Sequence, residues 1–188
     1  MSISINYVKR KNTSLFESLG ECGISNTQNY IPIYDNFFSL NESNWNNINL
    51  NHTLIVDKVK PSVYCEEIMD AKIVHTDNIE KGKGKGKGKG REIFIKTAPL
   101  LDPFKYVVGK YDHENPDLFS LPSLLNLNVH DKIIRRNNSS YIDGLFYYLT
   151  GELLNKHNFI HGIEYYGSFL GIKHQFKLNV YDDIEHLI

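Results

Sequence analysis

The chain has 188 residues, 41% of them hydrophobic, and a formal net charge of −1 at pH 7. That length and apolar share fit one globular domain, or one domain with an extension, and the charge balance excludes a bulk polyanion as the main partner. Two cysteines, Cys22 and Cys65, cannot build a disulfide framework. With no signal-type apolar segment and no run of about 18 apolar residues, the expectation is a soluble, non-secreted chain without membrane association.

Residues 1–50 read as an irregular extension, aromatic and Asn-rich, that docks its islands Tyr30–Tyr34 and Phe37–Leu40 on the domain formed by residues 51–188. The stretches 53–58, 62–65 and 71–75 are short β-branched runs between polar breaks and predict strands. The run KGKGKGKGKG at 81–90 combines backbone entropy with like-charge repulsion, which predicts a solvated loop. Gly at every second position does not match the spacing of a phosphate-cradling G-x-G-x-x-G. An occasional anion or nucleic-acid contact is the alternative use of that run. Glu92–Lys96 predicts the best strand in the chain, and Pro99 stops its ladder. Asp102-Pro103 is a favoured start for a short helix, 112–123 reads as loop, and 124–136 is weakly apolar.

The stretch 140–172 organises the rest. Ile142, Leu145, Phe146, Leu149 and Leu153 recur at helical spacing and predict one apolar face on a helix over 141–157. Asn138, Ser139 and Ser140 can cap its start, Ser140 with Asp143 as a capping box, and Lys156 and His157 suit its end. Glu152 falls at the border of the apolar stripe, where a carboxylate can reach the surface on which the helix packs. Gly144 and Gly151 lie opposite, on a face expected to be exposed, and each costs roughly 1 kcal/mol relative to Ala. The aromatic cluster Phe146, Tyr147, Tyr148, Phe159, Tyr165, Tyr166 and Phe169 reads as core. Residues 165–172 and 176–180, flanking Lys173-His174-Gln175, predict a hairpin. The expected fold class is α+β: an antiparallel sheet with one main packed helix.

A strand ending Ile93-Phe94-Ile95-Lys96, then a helix with Glu152, then a hairpin resembles the small lobe of a protein kinase. There a strand lysine holds the ATP phosphates and a helix glutamate fixes its ammonium. The segments 29–52, 95–112 and 139–187, with the phrases TAPLLDP and HGIEYYGSFLGI, resemble the amino-terminal half of the serine/threonine-protein-kinase-like proteins of giant, mimivirus-like DNA viruses. The resemblance implies ATP as cofactor, contacted by Lys96 and Glu152, with magnesium only if a carboxyl-terminal half is present. It also implies that half, or virion proteins, as partners, and the host cytoplasm or the virion as location. No DFG and no H-R-D-like loop with a downstream Asn occurs, so the chain reads as a truncated or split nucleotide lobe, not catalytic alone. The alternative is a non-enzymatic virion or host-interaction module, or simply a solvated strand end at Lys96.

Overall fold

The computed structural model describes residues 3–61, 67–76, 88–125 and 128–181. In chain order these form β1 (Tyr7–Lys9), α1 (Thr13–Glu21), β2 (Ile24–Gln28), β3 (Ile48–Leu50), β4 (Leu54–Pro61), β5 (Ile68–His75), β6 (Lys89–Phe94), α2 (Pro103–Val107), α3 (Asp131–Ile134), α4 (Ser139–His157) and β7 (Leu170–Lys173). Single 3-10 turns occupy Pro32–Asn36, Trp45–Asn47 and Pro116–Phe119. The class is α+β, and every strand pairing is antiparallel. In place of one sheet the described residues form three: β1-β3, β2-β7, and the meander β4-β5-β6. Among the described residues no helix is long and apolar enough to cross a membrane.

The meander carries the first core. Along β5, Met69, Ala71 and Ile73 alternate inward with polar Asp70 and Lys72 outward, the period of a sheet with one covered face. A bulge between Val56 and Lys58 puts Ile55, Val56 and Val59 all in buried positions on β4. What covers this face is α1, through Leu15 and the fully buried Leu19. Ser18 fastens the two layers, its Oγ accepting from Val59 N–H at 3.0 Å while donating to Leu15 O at 2.8 Å.

The second core gathers Ile31 and, from the first 3-10 turn after it, Ile33 and Tyr34, with Ile48 and Leu50 from β3, Tyr141 and Tyr148 from α4, and Tyr165 and Leu170 beyond it. The aromatic island at Tyr30–Tyr34 is therefore docked, as its composition implied. The segment around it is more regular than its polarity predicts, since β1, α1, β2 and β3 all fall within residues 1–50. Helix α1 has no side-chain cap, and Asn12 before it sits in the left-handed region at φ 54°. Its start is therefore silent in the sequence. The asparagines supply bonds that regular backbone would otherwise make: Asn12 Nδ2 donates to Asn29 Oδ1 and Asn49 Oδ1, both at 2.6 Å, and Asn29 Nδ2 donates to Asn46 O at 2.8 Å.

The expected hairpin does not form. Strand β7 pairs with β2, in the register Ile24↔Lys173 and Ser25↔Ile172, while 176–180 is not strand. Local β-propensity cannot name a partner as distant along the chain as Lys173 is from Ile24. A side chain at Gly171 would meet Ile24 Cγ2 at 2.8 Å, so β7 lies closer to β2 than a larger residue allows. In the meander, β6 begins at Lys89, inside the Lys-Gly run, and ends at Phe94, two residues short of Lys96. Residues 81–87 of that run, and the predicted strand 62–65, lie outside the described residues.

Candidate functional site

Lys96 and the long helix do meet, at a carboxylate other than the expected one. Lys96 Nζ donates to Asp143 Oδ2 at 2.7 Å and to Tyr147 Oη at 3.3 Å, and lies 5.0 Å from the Tyr147 ring centroid. The Asp143 hydrogen bond raises the Lys96 pKa above its ordinary value, so the ammonium is charged at neutral pH. Both side chains are more than a third exposed, 47% for Lys96 and 37% for Asp143. This is a surface ion pair.

The reason for the exchange of partners is tethering. Three residues after Lys96, Pro99 O accepts from Ser140 Oγ at 2.8 Å, and Leu100 O accepts from Asn138 Nδ2 at 2.9 Å. These bonds hold the end of the β6 segment at the first turn of α4. Asp143 is there, whereas Glu152 is nine residues further on, about 13 Å along the axis. The same bond removes Ser140 from the expected capping box, and Asn138 Oδ1 caps instead, accepting from Ser140 N–H at 3.0 Å. Glu152 is buried, 4% exposed, and its carboxylate pairs with Lys156 one turn along the helix. Lys96 and Glu152 are therefore not brought together.

Helix α4 is also turned relative to its apolar pattern. Its buried residues are Tyr141, Tyr148, Gly151 and Glu152, a face roughly a third of a turn from the aliphatic stripe. The glycine face is the packed one. A Cβ on Gly151 would lie 3.0 Å from Tyr165 Cβ and 3.1 Å from Ile163 O, and one on Gly144 would lie 3.2 Å from Ser168 Oγ. The segment 163–168 thus meets Gly151 with its backbone and Gly144 with the Ser168 side chain. Three tyrosines replace leucines as the filling, Tyr148 edge-on to Tyr165 at 5.6 Å, and Tyr141 Oη donates to Ile133 O at 2.7 Å. The aliphatic stripe is divided: Leu145 and Leu149 are half-buried against the second core, while Phe146 is 61% exposed and Ile142 48%. Leu153 is half-buried as well. Gly162 packs on Leu154 Cβ, bringing the exposed Phe159, Ile160 and Ile163 to the carboxyl-terminal end of the helix.

Two further groups bear on chemistry. A cleft of about 400 Å³ opens beside Ile95 and Thr97, with Cys22, Met69 and His174 in its walls and Lys96 outside it. Burial, and then the Glu21 charge, raise the Cys22 thiol pKa, the opposite of what a thiolate nucleophile needs. No group of three metal-binding side chains is present among the described residues.

No family model, curated protein or solved structure matches the chain. Asp143 and Tyr147 are the partners of Lys96 that sequence pattern does not single out. Their i, i+4 spacing on one helical stripe is visible in the sequence, but the tether that selects them is tertiary.

Proposed function

We propose that this chain is a non-enzymatic interaction module whose protein partner covers the outward stripe of α4. The observation that carries the reading is the exposure of Phe146, with Ile142 on the same stripe and Ile160 (80% exposed) at its end. Apolar side chains clustered on one face of a rigid helix are costly to leave in water, and such patches mark interaction surfaces. The aromatic residue Phe146 is the natural anchor. A photo-crosslinking residue placed at position 146, and separately at exposed position 60, tests this in the cells or particles where the chain occurs. One dominant crosslinked protein from position 146, absent from position 60 and lost with Ile142→Ser, is the expected result. Identical products from both positions, or none, would remove the reading.

One observation favours a second reading, the nucleotide lobe of a kinase-like protein. Lys96 is bridged to the long helix by a carboxylate, as the resemblance asks, with Asp143 in the role expected of Glu152. On this reading Lys96 contacts the phosphates of ATP, and a kinase-type carboxyl-terminal half would supply the magnesium ligands. Thermal unfolding with and without Mg-ATP tests it. A stabilisation present in the parent and absent in Lys96→Ala supports it, and a parent indifferent to nucleotide removes it.

A further inference from the structure

We propose that the open cleft between α2, the 116–119 turn and α3 binds a small phosphorylated anion, with Lys110, Lys132 and Arg135 as its phosphate contacts. The inference uses neither Lys96 nor the outer stripe of α4, so it goes beyond both readings above. The cleft measures about 800 Å³, within the roughly 300–1,000 Å³ of small-molecule sites. Four cations line it, Lys105, Lys110, Lys132 and Arg135, against two carboxylates, Asp117 and Asp131. In a chain of net charge −1 this is a local excess of positive charge.

Those cations are not neutralised in place. Lys105 has only a loose contact with Asp102, at 4.0 Å. Lys110, Lys132 and Arg135 form no ion pair among the described residues. A phosphate suits such a set, because Arg135 can offer two parallel N–H donors while the lysines act as point charges.

The walls are built and held. Asp102 caps α2, its Oδ1 accepting from Phe104 N–H at 3.1 Å, and Tyr111 Oη accepts from Asp102 N–H at 3.4 Å. The Tyr111 ring meets His130 edge-on at 5.5 Å. His130 N–H donates to Asp117 O at 3.2 Å, joining the 116–119 turn to α3. His130 Nδ1 accepts from Lys132 N–H at 3.1 Å, which fixes the ring at the start of α3. The cleft therefore has a cationic rim and one aromatic wall, the pairing that a phosphate joined to a flat organic group would use.

Isothermal titration of the full chain with inorganic pyrophosphate tests the site. The expected result is saturable binding, weakened about tenfold or more in Lys132→Ala/Arg135→Ala and little changed in Lys9→Ala/Lys60→Ala, which removes two charges elsewhere. No binding by the parent, equal loss in the two double variants, or citrate binding as tightly as pyrophosphate would overturn the proposal. Should the Lys132/Arg135 variant fail to fold, amide chemical shifts of the parent decide: pyrophosphate must move Lys110–Asn115 and His130–Lys132, and shifts confined to other regions overturn it. ADP separates the two sources of phosphate. Tighter binding than pyrophosphate, unaffected by Lys96→Ala, supports a nucleotide seated on Tyr111 and His130, and equal binding supports an inorganic phosphate. ADP binding lost in Lys96→Ala but kept in Lys132→Ala/Arg135→Ala overturns the cleft and returns the nucleotide to Lys96.

Discussion

Two residues show how far single positions depend on their surroundings. Gly151 looks like a defect in the helix that Ala should repair, worth up to about 1 kcal/mol. Its place against Tyr165 and the Ile163 carbonyl reverses the sign, because an added Cβ forces backbone apart. Gly151→Ala is expected to destabilise by about 1–3 kcal/mol, whereas Gly20→Ala, with nothing within 4 Å of its Cβ, is expected to stabilise. Denaturant unfolding of the two variants measures both. His52 supplies the second case. Its Nδ1 bonds Leu50 O at 2.5 Å, and its Nε2 is buried without a hydrogen-bond partner among the described residues. Burial lowers its pKa from 6.5 to about 4. Between those values the unfolded chain binds a proton that the folded chain does not. Stability is therefore complete above about pH 6.5 and falls by about 3 kcal/mol as the pH drops to 4. The difference in pH dependence between the parent and His52→Gln isolates this share, and parallel curves would refute it.

At the scale of the element, α4 is the informative case. Its limits were legible, and the helix Ser139–His157 falls where the periodicity places it, with Asn138 in place of Ser140 as its cap. Which face turns inward was not legible. Aliphatic spacing measures apolarity alone, and it misses that glycines admit a second segment and that tyrosines bring more area to bury. Phe146→Ser is accordingly expected to change folding stability by no more than about 0.5 kcal/mol, the range for exposed positions. Tyr148→Ala should lose about 3 kcal/mol or more, as for a large buried aromatic. A reversed order in thermal or denaturant unfolding would mean that the helix packs by its aliphatic stripe after all. The same rotation bears on function, since it leaves Ile142 and Phe146 of the predicted core stripe on the surface proposed for a partner, with Leu145 and Leu149 still against the core. It also explains the split of the aromatic cluster, with Tyr148 and Tyr165 inside and Phe146 and Phe159 outside.

The whole molecule is held by pairings that close over long stretches of chain. Strand β7 completes the sheet begun by β2, and Tyr165 and Leu170 complete a core begun by Ile31 and Ile33. A chain ending at residue 162 would leave the glycine face of α4 uncovered and β2 without its partner. Loss of cooperative unfolding, with increased binding of a hydrophobic dye, is the expected outcome for that truncation. A sharp thermal transition near that of the full chain would refute it. The candidate sites follow the same rule of distance. The Lys96–Asp143 pair depends on Ser140 reaching Pro99, and the basic cleft on His130 reaching Asp117. Neither contact leaves a trace in local sequence.

What the sequence alone determined was local: α+β composition, strands at β4 and β5, Asp102-Pro103 opening α2, and the limits of α4. These follow from periodicity, capping and backbone preference, which act over a few residues. Tertiary structure alone decided the partner of β7, the face on which α4 packs, the carboxylate that meets Lys96, and the gathering of four cations around one cleft. Each is a choice among distant surfaces. It is settled by the fit of bulky rings against glycines and by hydrogen bonds between segments far apart in the chain.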